Sequence, residues 1–332
     1  MTTYALNGLG RIGKLVLRPL LERGAKIAFI NEVLGDPEMH AHLLQFDSVH
    51  GRWHADFSTE ENSITIAGTR IPVTKESNLQ DLPLDGVDVL IDCTGAFKTE
   101  LKLSPYFSKG VKKVVVSAPV EDGATANIVY GVNENTYDSN THQIITAASC
   151  TTNSLAPVVK VLMEGIGIKH GAFTTIHNVT NTQTIVDRPS RDLRRARSAL
   201  NNLIPTSTGS ANAIMLIYPK LKGKLNGHAV RVPVLNASIT DCVFEMVRET
   251  TVSEVNNLFK AAADGPLKNI LGYETRPLVS SDYMNDTRST IIDGPSTMVV
   301  NETQLKVYAW YDNEYGYAHR LVDVALMVGK KL

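Results

Sequence analysis

The sequence predicts an α/β protein: a Rossmann-type, doubly wound parallel-sheet domain followed by an α+β domain with a largely antiparallel sheet. Three observations carry this prediction. The first half alternates short apolar runs with stretches of helical spacing, which is typical of a parallel sheet covered by helices. A glycine-rich turn with the spacing G-x-G-x-x-G begins at Gly8. The second half contains longer, partly alternating segments rich in β-forming residues, as in antiparallel sheets.

In the first half, strands are predicted over residues 3–6, 26–30, 87–92 and 112–117. Helices are predicted over 12–23 and 99–109, and another begins at Asp36-Pro37, where Asp is the N-cap and Pro the first helical residue. Pro19 lies inside the first helix and removes a backbone donor, so we expect a kink or an altered turn there.

In the second half, helices are predicted over residues 150–164, 251–263 and 317–328, the last ended by Gly329 and two lysines. Strands are predicted over residues 171–179, 228–234, 239–247 and 305–311. The sequence changes from alternating short strands and helices to longer β-rich segments, and this change places a domain boundary near residue 148.

Composition and charge narrow the functional class. The 332 residues are 43% hydrophobic and 20% charged, with a net charge of -1, so nothing indicates general binding to nucleic acid or to an anionic membrane. The first residues lack the pattern of a signal peptide. Three cysteines argue against a disulfide framework and for a reducing compartment. We therefore expect a soluble, cytoplasmic protein with no metal cofactor.

The glycine-rich turn predicts a dinucleotide site. Gly8, Gly10 and Gly13 follow a strand and open a helix, so that backbone amides can approach a pyrophosphate at the helix N-terminus. Glu32, at the end of the second strand, is placed to accept hydrogen bonds from ribose hydroxyls and to repel a 2′-phosphate. These residues predict NAD rather than NADP. The alternatives are a plain glycine turn and a solvated glutamate.

A candidate nucleophile stands at the start of the second domain. Cys150 begins a predicted helix with hydroxyl residues on both sides, and a helix N-terminus stabilises a thiolate. Cys93 and Cys242 read instead as small buried residues inside apolar strands. A catalytic thiol needs a base. His177 is a candidate, although spacing alone does not distinguish it from a structural histidine.

Several motifs resemble the phosphorylating glyceraldehyde-3-phosphate dehydrogenase family over essentially the whole chain. They are Asn-Gly-Leu-Gly-Arg-Ile-Gly at 7–13, Ser-Cys-Thr-Thr-Asn at 149–153, His177, Pro-Thr-Ser-Thr-Gly at 205–209, Arg-Val-Pro at 231–233 and Trp-Tyr-Asp-Asn-Glu at 310–314. The resemblance implies a glycolytic enzyme and a homotetramer. It also implies an NAD-binding domain over residues 1–148, onto which helix 315–332 packs, and a catalytic domain over 149–314.

The resemblance also assigns residues by position. Cys150 would be the nucleophile and His177 its base. The residues that would bind NAD are Gly8, Gly10, Arg11, Ile12, Gly13, Glu32, Thr94, Ser117 and Asn313. Those matching the inorganic phosphate site are Ser149, Thr151, Thr208 and Gly209; Thr180 and Arg231 match the substrate phosphate site, with Arg195, or else Arg194, between the two.

The implied reaction begins with addition of the thiolate to glyceraldehyde 3-phosphate. His177 takes the hydroxyl proton during hydride transfer, and phosphate cleaves the thioester to give 1,3-bisphosphoglycerate. Arsenate has the shape of phosphate and would bind the same residues.

Alternatives remain at this level. The chain could be an erythrose-4-phosphate dehydrogenase, or a member serving an arsenic-resistance operon, which some stretches weakly resemble. It could also be a redox-sensing or RNA-binding protein on the same fold, although an intact Cys150 and His177 argue against that. Arg188 would either meet the cofactor site of a neighbouring subunit or face solvent. The physiological direction and pathway stay open.

Overall fold

A computed structural model describes residues 1–120 and 122–332 and divides into two compact units. The first unit comprises Met1–Ala148 and Ala318–Leu332, and the second comprises Ser149–Tyr317. No helix in the described part of the chain is long and apolar enough to cross a membrane. The two units are described separately below.

The described residues of the first unit form three complete helices and eleven strands. The helices are α1 (Arg11–Glu22), α2 (Pro37–Gln45) and α3 (Glu100–Phe107). The strands are β1 (Thr3–Asn7), β2 (Lys26–Asn31), β3 (Phe46–Asp47), β4 (Gly51–Arg52), β5 (Phe57–Glu60), β6 (Ser63–Ile66), β7 (Thr69–Thr74), β8 (Val89–Asp92), β9 (Lys113–Val116), β10 (Thr125–Asn127) and β11 (Ile144–Thr146).

Nine of these strands form one sheet in the order β10-β11-β9-β8-β1-β2-β7-β6-β5. Every neighbouring pair from β10 to β7 is parallel, and only the β7-β6-β5 edge is antiparallel. β8 and β9 are buried along their whole length, as strands covered on both faces are. The carboxyl ends of β1, β2 and β8 meet at one edge, which is where α/β sheets bind ligands.

The second unit contains α4 (Cys150–Gly165), α5 (Ser210–Ile217) and α6 (Val252–Asp264), and α7 (Tyr315–Lys330) begins in it. Its strands are β12 (Ile168–Asn178), β13 (Ile204–Ser207), β14 (Leu225–Val232), β15 (Ser238–Met246), β16 (Leu271–Glu274), β17 (Thr290–Asp293), β18 (Met298–Val300) and β19 (Gln304–Tyr311).

The sheet of the second unit runs β13-β14-β12-β15-β19-β17-β16, with β18 beside β19. The β12–β14 and β16–β17 pairs are parallel, and the other five pairs are antiparallel. The predicted fold class, a parallel-rich dinucleotide-type sheet and a largely antiparallel second sheet, is confirmed.

Local end signals act as predicted at α2, where Asp36 Oδ1 accepts the Met39 amide at 2.8 Å and Pro37 is the first helical residue. Two details differ from the predictions. Cys93 follows β8 and does not lie inside it. The last helix continues through Gly329 to Lys330, and a Cβ at 329 would lie 2.1 Å from Tyr4 Oη. Gly329 is therefore needed for close packing on β1, which the sequence pattern could not distinguish from a helix stop.

Candidate active site

The turn after β1 is built for close backbone packing. Gly8 has φ +94°, and a Cβ there would lie 2.7 Å from the Cys93 carbonyl carbon; a Cβ at Gly13 would lie 1.9 Å from the Gly8 oxygen. Among the described residues, a Cβ at Gly10, just before α1, would meet no atom within 4 Å other than those of its chain neighbours. Glycine there leaves the helix N-terminus open to a ligand, which is the arrangement that a pyrophosphate requires.

A cleft of about 380 Å³ lies beside this turn. Four predicted cofactor residues line it: Gly8, Gly10, Glu32 and Thr94. The Glu32 carboxylate accepts the Leu9 amide at 2.8 Å, which holds it against the glycine turn. The cleft, the open helix end and this carboxylate together fit an adenine dinucleotide. Ser117 lies on the next strand connection, and its amide donates to the Asp92 carbonyl at 2.8 Å.

The Arg11 side chain makes a contact within the chain that the sequence did not predict. Its guanidinium makes a bidentate ion pair with Asp47, which also accepts the amides of Val49 and His50. Burial raises the pKa of Asp47, but Arg11 and these amides outweigh it and hold that pKa at about 2. The side chain thus secures the β3–β4 turn, which leaves the backbone N–H groups of Arg11 and Ile12, the first residues of α1, to face a pyrophosphate.

Below the cleft, a buried chain of hydrogen bonds joins the ends of three strands. Asn31 donates to Asn7 at 2.8 Å, Asn7 donates to Tyr106 Oη at 2.6 Å, and Tyr106 donates to Asp92 at 2.7 Å. Asp92 in turn accepts both the amide and the hydroxyl of Thr94. Sequence analysis missed Tyr106 and Asp92, because neither belongs to the dinucleotide motif.

In the second unit, Cys150 and His177 lie together. Ser149 is the N-cap of α4 and its hydroxyl accepts the Thr152 amide at 3.2 Å. Cys150 is therefore the first helical residue, with Sγ 3.6 Å from His177 Nε2 and 4.0 Å from Thr151 Oγ1. His177 stands near the end of β12. The strand and the helix N-terminus thus bring a thiol and an imidazole from 27 residues apart into contact.

Electrostatics at this pair differ from the prediction of a lowered thiol pKa. Burial raises the pKa of the Cys150 thiol, while Arg231 and hydrogen bonds from Thr151 oppose the rise. Burial, with Arg231 second, lowers the pKa of His177 to about 3. Desolvation therefore opposes the charged form of both side chains.

Arg231 lies beside the base. It is directly opposite His177 in the β12–β14 register. Its Nη1 lies 2.5 Å from His177 Nδ1 and donates to the Asn178 carbonyl at 3.0 Å. The same carbonyl is 2.9 Å from Nδ1.

Tyr311 organises the other side of the pair. Its buried hydroxyl is 2.9 Å from Thr151 Oγ1 and 2.7 Å from Thr175 Oγ1, and its ring meets the His177 ring edge-on with centroids 6.1 Å apart. The Thr151 hydroxyl, predicted to bind phosphate, is thus engaged by Tyr311. Tyr311 belongs to the motif at 310–314, and that position was the only sequence signal for it.

Asn313 is held by a residue that sequence analysis missed. Ser238, at the start of β15, donates to Asn313 Oδ1 at 3.0 Å and accepts the Asn178 amide at 3.2 Å. Ser238 therefore connects the neighbour of His177 to the asparagine predicted to bind the nicotinamide amide. Asn313 itself is buried, so its orientation is set by this bond.

Apart from Arg231 on β14, the predicted anion-binding residues are divided between two loops and two helix ends. Arg195 is half-buried and donates to Thr206 Oγ1 at 2.9 Å, whereas Arg194 is exposed. Thr208 and Gly209 precede α5, where the Thr208 hydroxyl accepts the Ser210 amide at 3.3 Å. These contacts favour Arg195 over Arg194.

Thr180 also organises its own loop. Its amide and hydroxyl both donate to the buried Gln183 side chain, at 2.9 and 3.0 Å. Gln183 is a further residue that sequence analysis missed. The Arg188 side chain is exposed in the single chain.

Comparisons with known proteins agree with this geometry. Residues 149–313 match the family model described as glyceraldehyde 3-phosphate dehydrogenase, C-terminal domain, and residues 2–100 match that of its NAD binding domain. Glyceraldehyde-3-phosphate dehydrogenase 3 of Nostoc sp. is 56% identical over 98% of each chain. Glyceraldehyde-3-phosphate dehydrogenase 1 of Bacillus cereus is 49% identical over 100% of this chain and 99% of its own, and that of Bacillus subtilis is 47% identical over 98% of each.

Proposed function

The chain belongs to the glyceraldehyde 3-phosphate dehydrogenase family, and on that premise we propose that it oxidises glyceraldehyde 3-phosphate to 1,3-bisphosphoglycerate with NAD and inorganic phosphate. The observation that carries the proposal is the contact of 3.6 Å between Cys150 Sγ and His177 Nε2 at the start of α4. A thiol beside a neutral imidazole is the pair that covalent aldehyde oxidation needs.

NAD, when bound, supplies the hydride acceptor. Gly8, Gly10 and the first amides of α1 would hold its pyrophosphate, and Glu32 and Thr94 its adenosine half. Asn313, oriented by Ser238, would bind the nicotinamide amide.

The first chemical step joins the thiol to the aldehyde. The Cys150 Sγ–C bond forms as the carbonyl π bond breaks, and His177 Nε2 relays the thiol proton to the carbonyl oxygen, which gives a thiohemiacetal. Nε2 then takes the hydroxyl proton while the carbon is oxidised, which leaves a thioester and an imidazolium. Because burial and Arg231 disfavour that cation, it should form only transiently.

The second step releases the product. An oxygen of inorganic phosphate attacks the thioester carbon, the C–S bond breaks, and Cys150 recovers its proton from His177. The phosphate proton goes to solvent, so the base returns neutral. Ser149, Thr151, Thr208 and Gly209 would bind the attacking phosphate, and Thr180 and Arg231 the substrate phosphate, with Arg195 serving both.

We further propose that three-carbon glyceraldehyde 3-phosphate is preferred to erythrose 4-phosphate. Thr180 is held by two hydrogen bonds to Gln183, so the distance from the substrate phosphate to Cys150 would be set. One additional carbon changes that reach by more than about 1 Å, and such a displacement can lower the rate about a hundredfold. A higher kcat/KM for erythrose 4-phosphate at saturating NAD and phosphate would reverse the assignment.

A homotetramer in the cytoplasm completes the proposal. Large apolar side chains are exposed along one segment of the second unit: Ile185, Val186, Leu193, Leu200 and Leu203. Such a concentration fits burial against another subunit, and light scattering with size exclusion measures it. The three free cysteines suit a reducing compartment.

The names of the relatives given above carry no reference to arsenic, so an arsenic-resistance role has no support.

The proposal is tested by NADH formation with single omissions. Turnover should require the aldehyde, NAD and phosphate together, and Cys150→Ser should abolish it while NAD still binds. A chain that binds NAD but forms no NADH, even in a first turnover, would instead favour the redox-sensing or RNA-binding alternative.

A further inference from the structure

The guanidinium of Arg195, predicted to lie between the two anion sites, is held by the protein at one nitrogen. Nε donates to Thr206 Oγ1 at 2.9 Å and lies 3.4 Å from Asp192 Oδ2. Within the described part of the chain, neither terminal nitrogen, Nη1 or Nη2, donates a hydrogen bond. A pair of terminal nitrogens can bind two oxygens of one oxyanion. Arg195 is therefore fixed near its stem and open at the edge that a phosphate would meet.

Asp192 fixes this geometry with both oxygens of its carboxylate. Oδ1 accepts the amides of Arg194 and Arg195 at 2.9 and 3.3 Å, which stabilises the turn that carries Arg195. Oδ2 lies 3.4 Å from Arg195 Nε and accepts the Thr206 hydroxyl at the same distance. Because Thr206 is buried on β13, these contacts connect the turn to the sheet of the second unit.

The same carboxylate is a negative charge close to any anion that Arg195 binds. Desolvation raises the pKa of Asp192, but the amides of Arg195 and Arg194 and the charge of Arg195 outweigh it and lower that pKa. Asp192 is therefore ionised at neutral pH. A phosphate on the open edge of Arg195 would be attracted by the guanidinium and repelled, from farther away, by Asp192. The net attraction is smaller than an unpaired arginine would provide.

We propose that Asp192 is a positioning residue for Arg195 that also limits the affinity of Arg195 for phosphate. The attacking phosphate has to bind, but after the attack the same group, now part of the acyl phosphate, has to leave the same donors. A site without the charge of Asp192 would bind both more tightly and release the product more slowly. The proposal rests on the assignment of Arg195 to the phosphate sites made above.

Asp192→Asn separates the two roles. Its carbonyl oxygen can still accept the amides of Arg194 and Arg195, and its amide nitrogen can donate to the Thr206 hydroxyl, but the charge is removed. We expect KM for inorganic phosphate, at saturating glyceraldehyde 3-phosphate and NAD and low ionic strength, to fall about threefold, the size expected for one partly exposed charge. Asp192→Ala, which removes the support as well, should instead raise KM for phosphate and lower kcat.

Asp187→Asn is the matched control. Asp187 has the same arrangement in the same segment, since Oδ1 accepts the Ser198 amide at 2.9 Å and Oδ2 pairs with Arg197 at 2.6 Å. Arg197 has no predicted phosphate contact, so KM for phosphate should match that of the wild type. An equal fall of KM in Asp187→Asn would assign the effect to the overall charge of the segment and contradict the proposal.

Ionic strength provides a readout that a purely structural role would not change. The difference in KM between the wild type and Asp192→Asn should shrink toward zero near about 1 M sodium chloride, where the screening length is about 3 Å. A difference of the same size at high salt would arise from a rearranged turn and would contradict a role for the charge.

A binding measurement makes the test independent of turnover. Line broadening of inorganic phosphate in ³¹P NMR, with the intact NAD-loaded enzyme, should give a lower Kd for Asp192→Asn than for the wild type. An unchanged or higher Kd would overturn the proposal, because the carboxylate would then only support the turn. If glyceraldehyde 3-phosphate, NAD and phosphate yield no NADH in the wild type, the proposed function itself fails. If they do and Asp192→Asn binds phosphate no more tightly, only the present inference fails.

Discussion

At the scale of single residues, the chemistry depends on a thiol and an imidazole in a desolvated setting. Burial raises the pKa of Cys150 and lowers that of His177, so desolvation opposes the charged form of both side chains. Arg231 acts oppositely on the two, because its charge favours the thiolate and disfavours the imidazolium. Reactivity at Cys150 is therefore expected to depend on proton acceptance by His177.

His177→Asn should slow hydride transfer by about two to four orders of magnitude, since it removes a positioned base. The variant should also shift alkylation of Cys150 by iodoacetamide to higher pH. In the wild type, the pKa of about 3 keeps His177 neutral at every higher pH, so alkylation should show no step near the ordinary histidine pKa of about 6.5.

Peptide mapping after alkylation provides the control for that experiment. Burial and neighbouring carboxylates raise the pKa values of Cys93 and Cys242, so neither thiol should compete in the folded protein. Preferential labelling of either one would contradict the assignment of Cys150 as the reactive thiol.

Glu32 should determine the choice of cofactor. Its carboxylate is fixed against the glycine turn by the Leu9 amide, so a 2′-phosphate would be held close to a like charge. We expect kcat/KM for NAD to exceed that for NADP by at least about tenfold, which corresponds to about 1.4 kcal/mol. Glu32→Ala should narrow the ratio. Glu76→Ala is the matched control, because Glu76 lines the same cleft. If it changes the ratio of kcat/KM for NAD to that for NADP as much as Glu32→Ala does, the preference for NAD arises from the overall negative charge of the cleft and not from Glu32.

At the scale of elements, the ends of neighbouring strands are joined by side-chain hydrogen bonds that no local sequence pattern predicts. Tyr106, on α3, receives a hydrogen bond from Asn7 at the end of β1 and gives one to Asp92 at the end of β8. Asp92 is deeply buried, and burial raises its pKa while Thr94 and Tyr106 oppose the rise. This chain of bonds stabilises the edge of the sheet on which the cofactor cleft is built.

Tyr106→Phe should lower the free energy of unfolding by about 1–3 kcal/mol, because it leaves a buried amide and a buried carboxylate oxygen without a partner. It should also weaken NAD binding in a calorimetric titration. Tyr137→Phe is the control, since the buried Tyr137 hydroxyl has no hydrogen-bond partner among the residues that the structure describes. Equal shifts of the urea midpoint in the two variants would mean that loss of any buried tyrosine hydroxyl has this effect, and that the hydrogen bonds of Tyr106 to Asn7 and Asp92 do not add to stability.

At the scale of the whole molecule, each unit has its own sheet and its own share of the chemistry. The first carries the dinucleotide cleft, and the second carries the thiol, the base and the predicted anion-binding residues. The donors in the second unit are hydroxyls, amides and guanidinium groups, which recognise a tetrahedral oxyanion by shape and charge.

Arsenate should therefore replace phosphate in turnover. The acyl arsenate product is unstable, so NADH formation should proceed further than with phosphate at equal aldehyde and NAD. The measurement is the final NADH absorbance with each anion. Turnover with phosphate but none with arsenate would mean that the proposed anion site is wrong or incomplete.

The sequence by itself determined the fold class, the order of most elements and the motifs that resemble the family. These features depend on short-range signals: the spacing of glycines, Asp36 before Pro37, and Ser149 capping the helix that Cys150 begins. They act within a few residues, so strand register hardly affects them. The roles that the resemblance assigns to individual residues depend on contacts between distant segments, so those assignments remain predictions.

Only the tertiary structure decided which side chains meet. Arg11 pairs with Asp47 across 36 positions, Arg231 contacts His177 across 54, and Ser238 donates to Asn313 across 75. Each contact depends on which strands are neighbours and in which register, and on a desolvated setting that makes unpaired polar groups costly. The pKa of the Cys150 thiol is likewise decided by tertiary structure. Burial raises this pKa against the effect of the helix N-terminus, and the extent of burial depends on packing and not on sequence spacing.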